Sequence, residues 1–174
     1  MSAVPQPAAV SPAITLRAPS VTDGARAFAL VRDAGNLEPN TLYAYLLLCT
    51  HFADTCLIAE RQGECVGFVA AYRPPTHNDA VFVWQIGVSE AARGRGLAKR
   101  MLNALVEQPG CRGVRFVEAT VAPSNLPSRA LFESFARAHD APCDVSTGFA
   151  APHFAPHVHE AEALYRIGPF RNRS

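Results

Sequence analysis

An apolar run, Val81-Phe82-Val83-Trp84-Gln85-Ile86-Gly87-Val88, leads into a basic glycine loop, Arg93-Gly94-Arg95-Gly96, and then into a stretch of helical periodicity. The run is rich in β-branched and aromatic residues and too short to span a membrane, which predicts a mostly buried strand. Beyond it, Leu97, Met101, Leu102, Leu105 and Val106 recur at helical spacing and predict a helix over residues 97–106 with one face on a sheet. A helix start exposes unpaired backbone N–H groups at the positive end of the macrodipole, which together seat a phosphate. Gly94 and Gly96 carry no side chain to hold a ligand away, and Arg93, Arg95, Lys99 and Arg100 surround the turn with positive charge. The unit reads as a strand that delivers a ligand's chain to a pyrophosphate-binding loop.

A G-x-G loop alone also fits a plain glycine turn with solvated arginines. Two familiar phosphate loops do not match: the P-loop string G-x-x-x-x-G-K-[ST] is absent, and a dinucleotide fingerprint requires Gly or Ala where Lys99 stands. The pattern [QR]-x-x-G-x-[GA] is met by Arg93, Gly96 and Ala98. This resembles the acetyl-CoA signature of the GCN5-related N-acetyltransferases, the GNAT superfamily. The resemblance implies acetyl-CoA as co-substrate, with no metal. It assigns the pantetheine and thioester contacts to the backbone of Ile86, Gly87 and Val88. The phosphate contacts fall to Arg93, Gly94, Arg95, Gly96, Leu97 and Ala98.

With 174 residues the chain has a one-domain length and enough residues for a sizeable core. We expect a disordered N-terminal tail over residues 1–13, one domain over 14–170 and a C-terminal tail over 171–174. The N-terminal stretch lacks the basic start and continuous apolar core of a signal peptide, and no later segment is long and apolar enough for a membrane span. A formal charge of +1 gives no reason to expect nucleic acid as partner. Five cysteines, with no C-x-x-C pair, argue against structural zinc and a disulfide framework. A cytoplasmic location is expected.

In chain order, residues 14–18 alternate as a short strand, and Ser20-Val21-Thr22-Asp23 forms a capping signal for a helix that stops near Gly35. Asn40 is the expected cap of a second helix over residues 41–52, apolar almost all round and therefore covered on several sides. Strands over 55–60 and 65–72 flank a tight Arg61-Gln62-Gly63-Glu64 hairpin, and residues 73–79 form a loop. After the central unit come a strand over 114–121, a helix over 126–139, a strand over 143–147, a loop over 148–157 and a last strand over 163–170. The order β-α-α-β-β-β-α-β-α-β-β is that of the GNAT fold. The class implied is α/β (α+β), a single mixed, mostly antiparallel twisted sheet flanked by helices. The segment around Asn125 resembles the second cofactor element of these proteins, which adds Asn125, Ser128, Arg129 and Phe132 to the cofactor site.

An amine that attacks a thioester must be neutral, yet an alkylamine near the lysine reference is below about 0.1% neutral at pH 7. A base or a water relay is required. Many GNAT proteins carry a tyrosine acid in a Leu-Tyr pair and a carboxylate base on the central strand; this chain has Leu131-Phe132 and Trp84-Gln85. Acid and base come from elsewhere, or the domain binds acyl-CoA without using it. Glu38, at the turn before the second helix, and Glu162, before the last strand, are the candidate carboxylates, with solvated surface charge as the alternative reading. His153, His157 and His159 have a spacing that permits a metal, but loop histidines are more often polar filler.

Further strings resemble one GNAT subfamily, the L-2,4-diaminobutyrate acetyltransferases of ectoine biosynthesis. They include Tyr43-Ala44-Tyr45-Leu46-Leu47-Leu48-Cys49, Phe82-Val83-Trp84-Gln85, Pro123-Ser124-Asn125 and Leu164-Tyr165-Arg166-Ile167-Gly168-Pro169. This resemblance implies transfer of acetyl to the γ-amine of L-2,4-diaminobutyrate by a homodimer. Glu38, Glu162 and His159 become the expected catalytic residues, and Tyr43 and Trp84 join them around the substrate. One departure is Leu37-Glu38-Pro39-Asn40, where the subfamily usually has Leu-Asp-Leu-Asn. An acetyltransferase for a polyamine, aminoglycoside or protein amine, and a non-catalytic acyl-CoA-binding module, remain open alternatives.

Overall fold

A computed structural model describes residues 12–35, 37 and 39–170. Glu38, most of the expected N-terminal tail and residues 171–174 lie outside the described residues.

Strand β1, Thr15–Arg17, leads through a short 3-10 turn into helix α1, Gly24–Ala34. The expected cap forms there, with the Asp23 carboxylate accepting from Ser20 N at 2.8 Å, and Gly35 ends the helix with φ of 69°. Helix α2, Leu42–His51, is capped by Thr41 rather than Asn40: Thr41 Oγ1 accepts from Ala44 N at 3.3 Å. Asn40 stands one position before that cap, and its N–H donates to the Tyr45 hydroxyl at 3.3 Å. Strands β2, Leu57–Arg61, and β3, Glu64–Tyr72, meet at a hairpin whose Gln62 and Gly63 both have positive φ, as a primed two-residue turn demands.

Strand β4, Ala80–Val88, precedes helix α3, Leu97–Val106. Strand β5, Phe116–Val121, begins two residues later than expected. Helix α4, Leu126–Ala138, follows it. The chain closes with β6, Cys143–Phe149, and β7, Glu162–Ile167. Strand β6 runs two residues past its expected end, into the segment read as loop, because Phe149 still pairs with Glu162. Strand β7 stops at Ile167, ahead of Gly168 with its φ of 137°.

The seven strands form one sheet in the order β1-β2-β3-β4-β5-β7-β6, antiparallel except for β4 and β5. Met101, Leu102 and Leu105 of α3 and Phe135 of α4 pack with Val81, Val83 and Val117 on one face. Leu30 and Val31 of α1 and Tyr45 and Leu48 of α2 pack with Ile58 and Phe68 on the other. These fully buried side chains supply most of the hydrophobic stabilisation, at about 1.5–3 kcal/mol for each large one.

Two irregularities of β4 shape the molecule. Its parallel pairing with β5 covers only Ala80↔Phe116, Val81↔Val117 and Phe82↔Glu118, after which β4 continues to Val88 paired with β3 on its other edge only, while β5 stays paired with β7. The two strands part like a fork. Opposite β3, Gln85 faces Ala70 and Val83 faces Ala71, which leaves Trp84 as the extra residue of a β-bulge. A bulge reverses the alternation of faces. Val81 and Val83 point to the α3 and α4 side, whereas beyond the bulge Gln85 and Gly87 meet the α1 and α2 side.

Candidate active site

The fork opens a cavity of about 1840 Å³. Phe82, Trp84 and Ile86 line it from β4, and Glu118, Thr120 and Ala122 from the β5 side. Leu37, Pro39 and Asn40 also line it, as do Phe154, Val158, His159, Glu160 and Glu162.

On the α3 side the loop has the form its sequence requires. Gly94 and Gly96 have φ of 73° and 71°, and no atom lies within 4 Å of a Cβ built at either, so backbone conformation rather than crowding selects glycine. No side chain caps the start of α3, unlike α2 and α4, whose first turns are held by Thr41 and Asn125. That uncapped terminus, ringed by basic residues, fits an anionic phosphate group. Arg95 is exposed, Lys99 Nζ bonds Ser134 Oγ at 2.9 Å, and Arg100 bonds the Ile14 carbonyl. Arg93 is a brace: its guanidinium donates to Val88 O at 3.1 Å and Ala34 O at 2.7 Å, fixing the loop to the ends of β4 and α1. Leu97 is buried in the core, Ala98 partly covered.

Ile86 faces the cavity, while Gly87 lies against Leu30 and Leu37 on the opposite face and Val88 packs toward the α3 core. Asn125, Ser128 and Phe132 line the cavity, and Asn125 Oδ1 accepts from Ser128 N at 3.2 Å. Arg129 is not among the cavity-lining residues; its Nε donates to the Tyr165 hydroxyl at 3.2 Å.

Of the residues expected around the acceptor, Trp84 is 44% exposed and lines the cavity from the bulge. His159 and Glu162 come together there, with Nε2 and Oε1 3.8 Å apart, and the imidazole stacks on Phe154. Tyr43 departs from its expected place. It is 67% exposed on the outside of α2 and does not line the cavity, because helical geometry turns Tyr45, two residues on, inward. Tyr45 donates to Gln85 Oε1 at 3.0 Å. Of the expected acceptor residues, the structure gathers Trp84, His159 and Glu162.

A cluster that sequence reasoning missed sits at the base of the fork. The buried Glu118 carboxylate accepts from Arg166, and His77 Nε2 lies 2.9 Å from its other oxygen. The Arg166 guanidinium stacks 3.7 Å over Phe116, and burial, with Glu118 second, pushes the Tyr72 phenol above its ordinary pKa. An acidic residue inside an otherwise apolar strand, Phe116-Val117-Glu118-Ala119, is the signal that could have found it. Ser124 and Glu160 were also missed; the Ser124 hydroxyl bonds the Glu160 carboxylate across the cavity rim.

Among the described residues no three His, Cys, Asp or Glu side chains gather as a metal site, and no helix is long and apolar enough to cross a membrane.

Residues 26–136 match the model of the acetyltransferase (GNAT) family. The chain is 44% identical over 162 residues to the L-2,4-diaminobutyric acid acetyltransferase of Shouchella clausii, covering 93% of this chain and 90% of that protein. It is 45% identical over 152 residues to the enzyme of the same name from Marinococcus halophilus, covering 87% and 88%. Among solved structures it superposes on the diaminobutyrate acetyltransferase EctA of Paenibacillus lautus, in complex with its substrate L-2,4-diaminobutyric acid and coenzyme A. The TM-score is 0.88 at 44% identity, covering 94% of this chain and 99% of that one.

Proposed function

The chain belongs to the acetyltransferase (GNAT) family, and on that premise we propose that it transfers acetyl from acetyl-CoA to the γ-amine of L-2,4-diaminobutyrate, the step before cyclisation to ectoine. The observation that carries the acceptor is the likeness, over nearly the whole chain, to a solved enzyme that holds that substrate and CoA.

Acetyl-CoA supplies the thioester carbonyl that the amine attacks. The uncapped start of α3, with Gly94 and Gly96, would hold its phosphates, and Ile86, Asn125, Ser128 and Phe132 would line the path of its arm. Loop residues Arg93, Arg95, Leu97 and Ala98 and strand residues Gly87 and Val88 complete the proposed cofactor site, with Arg93 acting through the loop it braces. Arg129 is assigned to the same site through the first turns of α4.

The chain's own residues must hold the acceptor and take its proton. Glu162 and His159 form a carboxylate–imidazole pair at the cavity wall, suited to bind the ammonium and accept the proton as the N–C bond forms and the C–S bond breaks. Trp84 excludes water beside them. Glu38 is assigned a second ammonium contact. The thiolate leaves with its proton from water, since Phe132 stands where other family members have a tyrosine.

We propose that the chain works as a homodimer, supported by the exposed Leu42 and Tyr43 on α2, which leave apolar surface for a second copy. A cytoplasmic location is supported by five cysteines that are all free thiols. Residues 14–170 are proposed as one domain with short tails on either side.

The test is thiol release from acetyl-CoA with L-2,4-diaminobutyrate, ornithine, lysine and spermidine, followed by mass spectrometry. Turnover concentrated on diaminobutyrate with γ-acetylated product is expected. Preference for spermidine, or CoA binding without any turnover, would overturn the acceptor. Glu162→Gln should lower kcat/KM for diaminobutyrate by about 100-fold; an unchanged rate removes Glu162 from the role.

A further inference from the structure

Residues 150–161 connect β6 to β7, carry His159 and deliver Glu162 to the cavity. Most contacts of this connection are its own. His153 N donates to Ala150 O, Ala155 N to Pro152 O and His157 N to Phe154 O. Phe154 stacks on His159 with ring centroids 4.0 Å apart and meets Phe149 edge-on at 6.2 Å. Among the described residues, 155–161 make hydrogen bonds to only one other part of the fold, and Glu160 makes them: its carboxylate accepts from Ser124 N at 3.3 Å and from the Ser124 hydroxyl. The two residues are 36 positions apart in the chain.

Ser124 precedes Asn125, which caps α4 and lines the cofactor end of the cavity. A carboxylate holding both donors of one residue is a charge-assisted, directional tie. We propose that Glu160 is a positioning residue that couples the two halves of the site, so that a cofactor seated at the start of α4 fixes Ser124 and thereby fixes the connection that presents His159 and Glu162. This rests on the acetyl-transfer reading above. It makes acceptor affinity depend on CoA, and linkage requires the converse to hold by the same factor.

The test compares the full-length protein with Glu160→Ala and Glu160→Gln, both exposed changes that leave the core untouched. Calorimetric titration with diaminobutyrate, with and without CoA, should show CoA tightening acceptor binding by about 10-fold in the parent. Glu160→Ala should bring that factor close to one and raise the acceptor KM by a similar factor with a smaller change in kcat. Glu160→Gln, which keeps an acceptor oxygen, should restore part of it. Hydrogen exchange gives a readout independent of any acceptor: CoA should slow exchange over residues 150–161 in the parent and not in Glu160→Ala. A parent that shows this protection but never turns over diaminobutyrate sinks the proposed function and leaves the coupling standing. A parent that turns over, with KM, coupling and exchange all unmoved in Glu160→Ala, overturns the coupling.

Discussion

The Tyr45 hydroxyl donates to Gln85 Oε1 at 3.0 Å, fastening α2 to β4 immediately beyond the bulge, and both residues are buried. The Tyr45 oxygen itself accepts from Asn40 N, so one phenol fixes the central strand and the Pro39-Asn40 wall of the cavity. Tyr45→Phe removes both bonds while keeping the ring. A loss of about 1–2 kcal/mol is expected, lowering Tm by roughly 2–6 °C for a chain of this size, together with a raised acceptor KM. Thermal unfolding and steady-state kinetics on the same preparation check the pair of effects.

Trp84 tests the bulge from the cavity side. Because its ring is 44% exposed and no core cluster depends on it, Trp84→Ala should change stability by less than about 1 kcal/mol. The acceptor pocket loses a wall, and kcat/KM for diaminobutyrate should fall about 30-fold or more while the Kd for CoA stays within about twofold. A large fall in Tm instead would mean that the residue is structural.

Gly96 bears on the phosphate loop. Its φ of 71° leaves space for a methyl group but lies where a side chain is strained, so Gly96→Ala should cost about 1 kcal/mol in stability. Relief of that strain moves the N–H groups at the start of α3, and CoA affinity should drop severalfold as judged by titration. The acceptor KM, measured at saturating acetyl-CoA, should hardly move.

Asp23 predicts the acid limb of stability. Arg17 binds its carboxylate with two short hydrogen bonds and, despite the opposing effect of burial, holds its pKa well below the usual carboxylate range. A folded-state pKa below the unfolded one gives stability that is fully present above the unfolded value near about 3.9 and is lost as pH falls through the folded value. Asp23→Asn should therefore cost about 2–3 kcal/mol at neutral pH, less than a fully buried pair because Arg17 is partly exposed. Its denaturation midpoint should also depend less on pH below pH 4 than the parent's, as urea titrations from pH 7 to pH 2 would show.

What local pattern can encode was readable in the chain. The order of strands and helices, the Gln62-Gly63 hairpin, the left-handed glycines before α3 and the side-chain cap of α4 are set within a few residues, by periodicity and by backbone conformations that glycine and the capping residues favour. Those features determined the proposed phosphate end of the site. The walls of the proposed acceptor pocket were decided by contacts between distant parts of the chain: Tyr45 with Gln85, His77 with Glu118, Glu118 with Arg166, Ser124 with Glu160, each 36 to 48 positions apart. The bulge matters most among these decisions. Alternation along β4 gives Val81, Val83, Gln85 and Gly87 one face. Pairing with β3 inserts Trp84 as an extra residue and sends the last two to the opposite face. A choice between Tyr43 and Tyr45 on an evenly apolar helix was open for the same reason: with no polar face in the sequence, only the sheet that the helix packs against selects the side turned inward.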